Sequence, residues 1–186
     1  KFDKTQLINL EYSLQREVLR SNRAGSYAFT TIVGCNTRKY HALLACPMEH
    51  LDGGTHILLS TLDETVVQHG ASFNLGIHKY HCVYEPKGHK YIRDFDTDPV
   101  MSLVYRVGDV VLRKEMVLVT NEERILIRYT VVDTHTPTRL VFKPFLAFRN
   151  IHSLCKSNLD VITKYTSVNN GIKLKMYSGY PYLFLQ

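Results

Sequence analysis

The chain has no tryptophan, no C-x-x-C pair and no long apolar run. Each absence excludes something. A membrane helix needs about 18 or more successive apolar residues, whereas stretches such as Val110 to Leu112 and Val117 to Val119 are interrupted by charge. No membrane association is expected. The opening residues Lys1-Phe2-Asp3-Lys4-Thr5 lack the apolar segment and small-residue cleavage site of a secretory leader. Cys35, Cys46, Cys82 and Cys155 are spaced widely and irregularly, which excludes a cysteine-rich zinc site and a dense disulfide framework and predicts buried, reduced thiols in a cytoplasmic protein. There is no glycine-rich phosphate loop and no G-x-S-x-G elbow. Internal repeats, low-complexity tracts and Pro/Ser-rich linkers are also missing, so residues 1–186 are expected to form one domain.

What is present is a globular composition, with 45% hydrophobic and 22% charged residues, enough to build a core. The net charge of +6 comes from basic residues scattered among acids. Nucleic-acid binders concentrate such residues in a patch, so no nucleic-acid partner is expected.

Periodicity points to β structure. In Arg124 to Val132, Ile125, Ile127, Tyr129 and Val131 share one parity, which fits a half-buried strand. Met101 to Val107 and Val110 to Val119, joined by Gly108-Asp109, read as an antiparallel hairpin. Thr138 to Phe148 puts Leu140, Phe142, Leu146 and Phe148 on one face, and Pro144 marks an edge or a bulge. Asn170-Gly171, between Val161 to Val168 and Ile172 to Tyr177, signals another hairpin in a C-terminal meander. Gln6 to Tyr12, Gln15 to Arg20, Tyr27 to Val33, Lys39 to Cys46 and Ile57 to Val67 also read as strands. With no helix signalled, the expected fold is all-β, a two-sheet antiparallel β-sandwich. The last residues, Tyr180 to Gln186, remain apolar and strand-like, which suggests a piece of something longer.

The most distinctive stretch is Asn22 to Leu44. It carries a polar cluster, Asn36-Thr37-Arg38-Lys39-Tyr40-His41, that runs directly into Ala42-Leu43-Leu44. If a strand starts near Arg38, then Arg38 and Tyr40 share one face and Lys39 and His41 the other. Arg38 suits a carboxylate or sugar hydroxyls, and Tyr40 offers an aromatic platform. The alternative is a turn in which Asn36 and Thr37 cap the backbone while Arg38 forms an internal ion pair.

The order N-x-x-G-x-Y (Asn22, Gly25, Tyr27) followed by G-x-N-T-R-K-Y-H-x-L-L (Gly34, Asn36 to His41, Leu43, Leu44) resembles the N-terminal domain of the archaeal and bacterial type of glycogen debranching enzyme. Leu58 to Glu64, Glu85 to Gly88 and Pro144 to His152 continue the likeness over nearly the whole chain. The chain departs from the family's usual pattern at Val18, Ala42 and Asn150, where Trp, Gly and Asp are common.

The resemblance implies a β-supersandwich that precedes an (α/α)6 barrel carrying the carboxylates that hydrolyse α-1,6 branch points. Residues 1–186 do not reach that barrel. The partners implied are the protein's own C-terminal catalytic domain and glycogen or a related α-glucan, with no cofactor. Asn36, Thr37, Arg38, Tyr40 and His41, with Arg149 and His152 nearby, are expected on the surface that packs on the barrel and borders its glucan cleft. Two other roles stay open: an autonomous α-glucan-binding module using exposed tyrosines, and an interface domain alone.

No catalytic pair is expected within the chain. Glycoside hydrolysis needs two carboxylates facing one bond, whereas Asp63 and Glu64 point to opposite faces of a strand. Asp94, Asp96 and Asp98 read as solvated loop residues. His78 and His81 face opposite ways on an extended segment beside Cys82, so no metal site is expected there.

Overall fold

The computed structural model describes residues 1–186. It opens with β1 (Phe2–Asp3) and two short helices, α1 (Lys4–Leu7) and α2 (Leu10–Leu14). These helices overturn the strand expected over Gln6 to Tyr12. Local capping decides the matter: the Asp3 carboxylate accepts from the Thr5 and Gln6 amides, the Gln6 side chain accepts from the Asp3 amide, and Asn9 caps the second helix. Leu7 is thereby fully buried.

The strands follow in chain order as β2 (Glu17–Ser21), β3 (Tyr27–Thr31), β4 (Ala42–Pro47), β5 (Thr55–Gln68), β6 (Ala71–Asn74), β7 (His78–Tyr80) and β8 (Val83–Glu85). After a 3-10 turn at Gly88–Tyr91 come β9 (Ile92–Asp96), β10 (Met101–Val107), β11 (Val110–Leu118), β12 (Ile125–Asp133) and β13 (Arg139–Asn150). The chain closes with β14 (Tyr165–Val168), β15 (Gly171–Leu174) and β16 (Leu183–Leu185).

Two antiparallel sheets make the body. One has the order β1-β9-β10-β11-β12, and the other β13-β5-β4-β3-β2 with β6 added to β5. The all-β sandwich predicted from periodicity is therefore the fold, with two additions: a three-stranded sheet, β14-β15-β16, and the β7-β8 hairpin. Alternation does the work. Met101, Leu103, Tyr105 and Val107 on β10 and Val110, Leu112 and Met116 on β11 are buried against the second sheet's Leu44, Leu59 and Val66, within one core cluster of 25 residues.

Several boundaries differ from expectation. The strand expected from Lys39 starts at Ala42, and the one expected from Gln15 starts at Glu17. Asp94 and Asp96 belong to β9 and not to a loop, although Asp96 does accept from the Thr97 and Asp98 amides in turn fashion. The second hairpin pairs Val168 with Gly171, so its turn is Asn169-Asn170, one residue early, with Asn170 left-handed at φ 56°. Pro144 does lie on an edge strand, just before a register shift at Phe145/Leu146. That irregularity also breaks the predicted single face of β13, because Phe148 is buried while Phe142 is 46% exposed. All four cysteines are free; Cys35 and Cys46 are buried as expected, whereas Cys82 and Cys155 are exposed. Burial pushes the Cys35 and Cys46 thiols up to about 11.

Position 114 of β11 carries a lysine where the alternation calls for an apolar residue. Its ammonium donates to Glu64 Oε1 at 2.6 Å, and the same oxygen accepts from the Tyr129 hydroxyl. This triad ties β5 of one sheet to β11 and β12 of the other. Lys114→Met should cost about 3–5 kcal/mol, because it strands a buried carboxylate. Adding Glu64→Gln should recover at least half of that loss. Urea unfolding of the two variants tests the pair; a double variant as weak as the single one contradicts it.

Candidate functional site

The polar cluster at positions 36 to 41 is a turn and not a strand, which corrects the face assignment made from alternation. Its closing bond runs from the His41 amide to the Arg38 carbonyl at 3.1 Å. The His41 ring is buried and lies edge-on to Phe29 with centroids 4.5 Å apart. Its Nδ1 accepts from the Thr37 amide at 3.0 Å, so Nε2 carries the proton and donates to Glu17 Oε1 at 3.0 Å. Burial holds the His41 imidazole below its usual range, opposed by the Glu17 carboxylate, with the Arg38 cation adding to the lowering. His41 is thus a neutral pivot that positions the turn. Arg38 reaches the same Glu17 oxygen, which matches the internal ion pair of the turn alternative.

Asn36 fills a gap in the sheet. β3 pairs with β4 up to Phe29↔Ala42, and β4 pairs with β5 up to Leu44↔Leu59, so Thr30 and Ser60 lie one residue beyond each ladder. The Asn36 amide spans them, accepting from the Thr30 hydroxyl at 2.9 Å and donating to the Ser60 carbonyl at 2.9 Å. Thr37 contributes only its backbone amide.

The two distant stretches meet. Arg149 donates to the Lys39 carbonyl at 2.6 Å and to the Ser153 carbonyl at 2.9 Å, clamping the turn to the segment after β13. The Tyr40 ring lies edge-on to His152, with centroids 5.7 Å apart, and the Tyr27 hydroxyl donates to the Tyr40 carbonyl. Lys39, Arg38 and His152 remain exposed. All seven sequence-predicted site residues therefore belong to one neighbourhood, Asn36, Thr37, His41 and Arg149 as its scaffold and Arg38, Tyr40 and His152 as its outward face.

The network continues into residues that sequence reasoning missed. Asn150 donates to Asp52 Oδ2 at 2.9 Å. Asp52 Oδ1 accepts from His56 Nε2 at 2.7 Å, and His56 Nδ1 accepts from the Tyr180 hydroxyl at 2.6 Å. The His56 hydrogen bond, then the Gly54 amide and Asn150, hold the Asp52 carboxyl down at about 2. Burial pushes Tyr180 up to about 12. Glu17 was the one partner within reach of local reading, since it directly precedes the unusual Val18.

The acids do not converge. Asp63 takes His78 at 2.9 Å on one face of β5, while Glu64 faces Lys114 and Tyr129 on the other. His78 and His81 also part, the first held by Asp63 and the second beside the Cys82 sulfur. No group of three or more His, Cys, Asp or Glu side chains is gathered as for a metal ion, and no helix is long and apolar enough to cross a membrane.

The two antiparallel sheets, with the polar turn at 36–41 clamped to the segment after β13, define an all-β sandwich domain. The family model described as the glycogen debranching enzyme N terminal matches residues 16–186, and the chain belongs to that family. Searches of curated proteins and of solved structures found no match.

Two predictions arise from this geometry. Because the folded His41 binds a proton less readily than its unfolded counterpart near 6.5, stability is complete above that pH and declines as pH falls below it. His89 is depressed in the same sense by its burial. His41→Gln should therefore flatten part of the pH 7.5 to 5 stability slope, measured by urea unfolding across that window; an unchanged slope contradicts the assignment. Tyr180→Phe should cost about 1–3 kcal/mol, since it leaves buried His56 Nδ1 without a donor, as thermal or chemical unfolding will read.

Proposed function

We propose that this domain packs on the catalytic barrel of a cytoplasmic glycogen debranching enzyme and that its polar strip borders the glucan cleft, without performing the hydrolysis. The parent activity in this proposal is cleavage of α-1,6 branch points in glycogen or a related α-glucan. The observation that carries it is the clamp of Arg149 on Lys39, which presents Arg38, Tyr40 and His152 together at one surface. Such a set of hydroxyl, imidazole and guanidinium donors beside an aromatic edge suits sugar hydroxyls. The chain's buried acids are each committed to a neighbouring base, Asp63 to His78 and Glu64 to Lys114, which leaves no facing pair for the acid and base roles.

A second role, as barrel interface, is favoured by apolar exposure on the two edge strands. Leu126 and Val132 on β12 and Val141 and Phe142 on β13 are each 43–55% exposed. Patches of that kind mark surfaces that meet another protein surface. The two roles are compatible, one on the strip and the other on the strand edges.

In the full-length enzyme, Arg38→Ala and His152→Ala should each lower debranching at least tenfold with melting temperatures near wild type. The exposed Arg38–Glu17 pair supplies little stability on its own. Wild-type activity at matched folding contradicts the cleft role. In glycogen affinity gels the isolated chain should run without retardation, and clear retardation would favour an autonomous glucan-binding module.

A further inference from the structure

The last 36 residues, 151–186, hold four lysines and a single acid, Asp160. Half of the chain's net charge is thereby concentrated in the segment that carries the small sheet. On this sheet the two faces differ. Leu174 and Leu183 turn toward the core cluster. The opposite parity presents Thr166, Lys173 and Phe184 as a row of paired neighbours across the three strands.

Lys173 and Lys175 both lie against the ring of Tyr182, each ammonium 4.9 Å from its centroid. Both lysines are half-buried, and no carboxylate lies within 4.0 Å of either; every ion pair of the chain uses other cations. Two ammoniums at one aromatic ring with no carboxylate beside either make a local excess of positive charge, which an anion bound at this face relieves. Beside them stand the Thr166 hydroxyl, which makes no hydrogen bond within the chain, and the Phe184 ring, 53% exposed.

We propose that this face binds a phosphate monoester, with Lys173 and Lys175 as the cationic partners of the dianion. The charge matches: a monoester carries close to two negative charges at neutral pH, because its second ionisation falls near 6. Compact ammonium groups serve as point-charge partners for phosphate. Thr166 supplies a further donor, and Phe184 an apolar face for whatever bears the phosphate. The same dianion is available from free phosphate or from phosphoryl groups on an α-glucan. Only the glucan source rests on the debranching proposal; the anion site does not.

The test is an NMR titration of the labelled chain with four probes: inorganic phosphate, a phosphorylated α-glucan, the same glucan after phosphatase treatment, and a short single-stranded oligonucleotide. Phosphate should shift the backbone signals of Lys173 to Lys175 and Tyr182 to Phe184. Replacing both lysines (Lys173→Gln with Lys175→Gln) should weaken binding at least tenfold without changing the melting temperature. Binding of phosphate alone supports the site and assigns it to the free ion; binding of the phosphorylated glucan as well assigns it to the polymer. Absence of phosphate-induced shifts overturns the proposal. So does undiminished binding by the double variant, or equal affinity for the dephosphorylated glucan or the oligonucleotide.

Discussion

Adjacent residues on β5 carry buried carboxylates that point opposite ways, and the rest of the sandwich is organised around that fact. Glu64 faces inward to Lys114 and Tyr129 of the opposing sheet, and Asp63 faces outward to His78. Both residues are under 5% exposed. A one-residue slip of β5 would exchange the two faces and leave each acid without its base. A buried unpaired charge is among the most costly defects a fold can contain. The dipeptide therefore fixes the register of β5 against both the opposing sheet and the covering β7-β8 hairpin. Its close packing is visible at Gly76, where a Cβ would lie 2.5 Å from the Asp63 carboxylate. Only glycine leaves room there.

With β5 fixed, the candidate site follows from it. The same strand provides the Ser60 carbonyl that Asn36 grips and the His56 ring that links Asp52 to Tyr180. It also pairs with β13 along most of its length, as far as Arg149↔Ile57 and Asn150↔His56. The turn at 36 to 41 and the clamp at 149 to 152 thus meet because both are anchored on one long strand. Neither stretch needs a strong contact of its own. Their mutual bonds run mostly to backbone carbonyls, which any side chain at position 39 would supply.

Strand alternation made the sandwich and most of its hairpins legible, because period two is imposed directly by one buried face. The two opening helices were hidden by their brevity. The decisive signal was present as Asp3 followed three residues later by Gln6, a capping pair that outweighs the apolar spacing of so short a segment. The polar run 36 to 41 stood out as unusual, yet its geometry did not, since the bond that anchors the His41 ring reaches back to Glu17 across 24 residues. The Asp52–His56–Tyr180 chain was further out of reach. It joins residues 124 apart in sequence, and nothing in the local pattern around Tyr180 encodes a histidine partner. Lys114 sat in plain view within an apolar alternation, where a basic residue calls for a buried acid on the facing sheet.

The departure at position 150 acquires a physical reason from this network. Arg149 has no need of a neighbouring carboxylate, since its guanidinium is occupied by the carbonyls of Lys39, Asn150 and Ser153. Asn150 instead faces Asp52, to which it donates, while its own Oδ1 accepts from the His152 amide. An aspartate in this place would set two carboxylates against each other at hydrogen-bond distance and remove the donor that helps hold Asp52 ionised. The amide lets Asp52 keep its charge while it orients His56. Through His56 and Tyr180 it also ties the three-stranded sheet to the body, for Tyr180 packs on Phe148 and His56 at 5.4 Å each. Asn150 thereby connects the clamp on the turn to the docking of the small sheet.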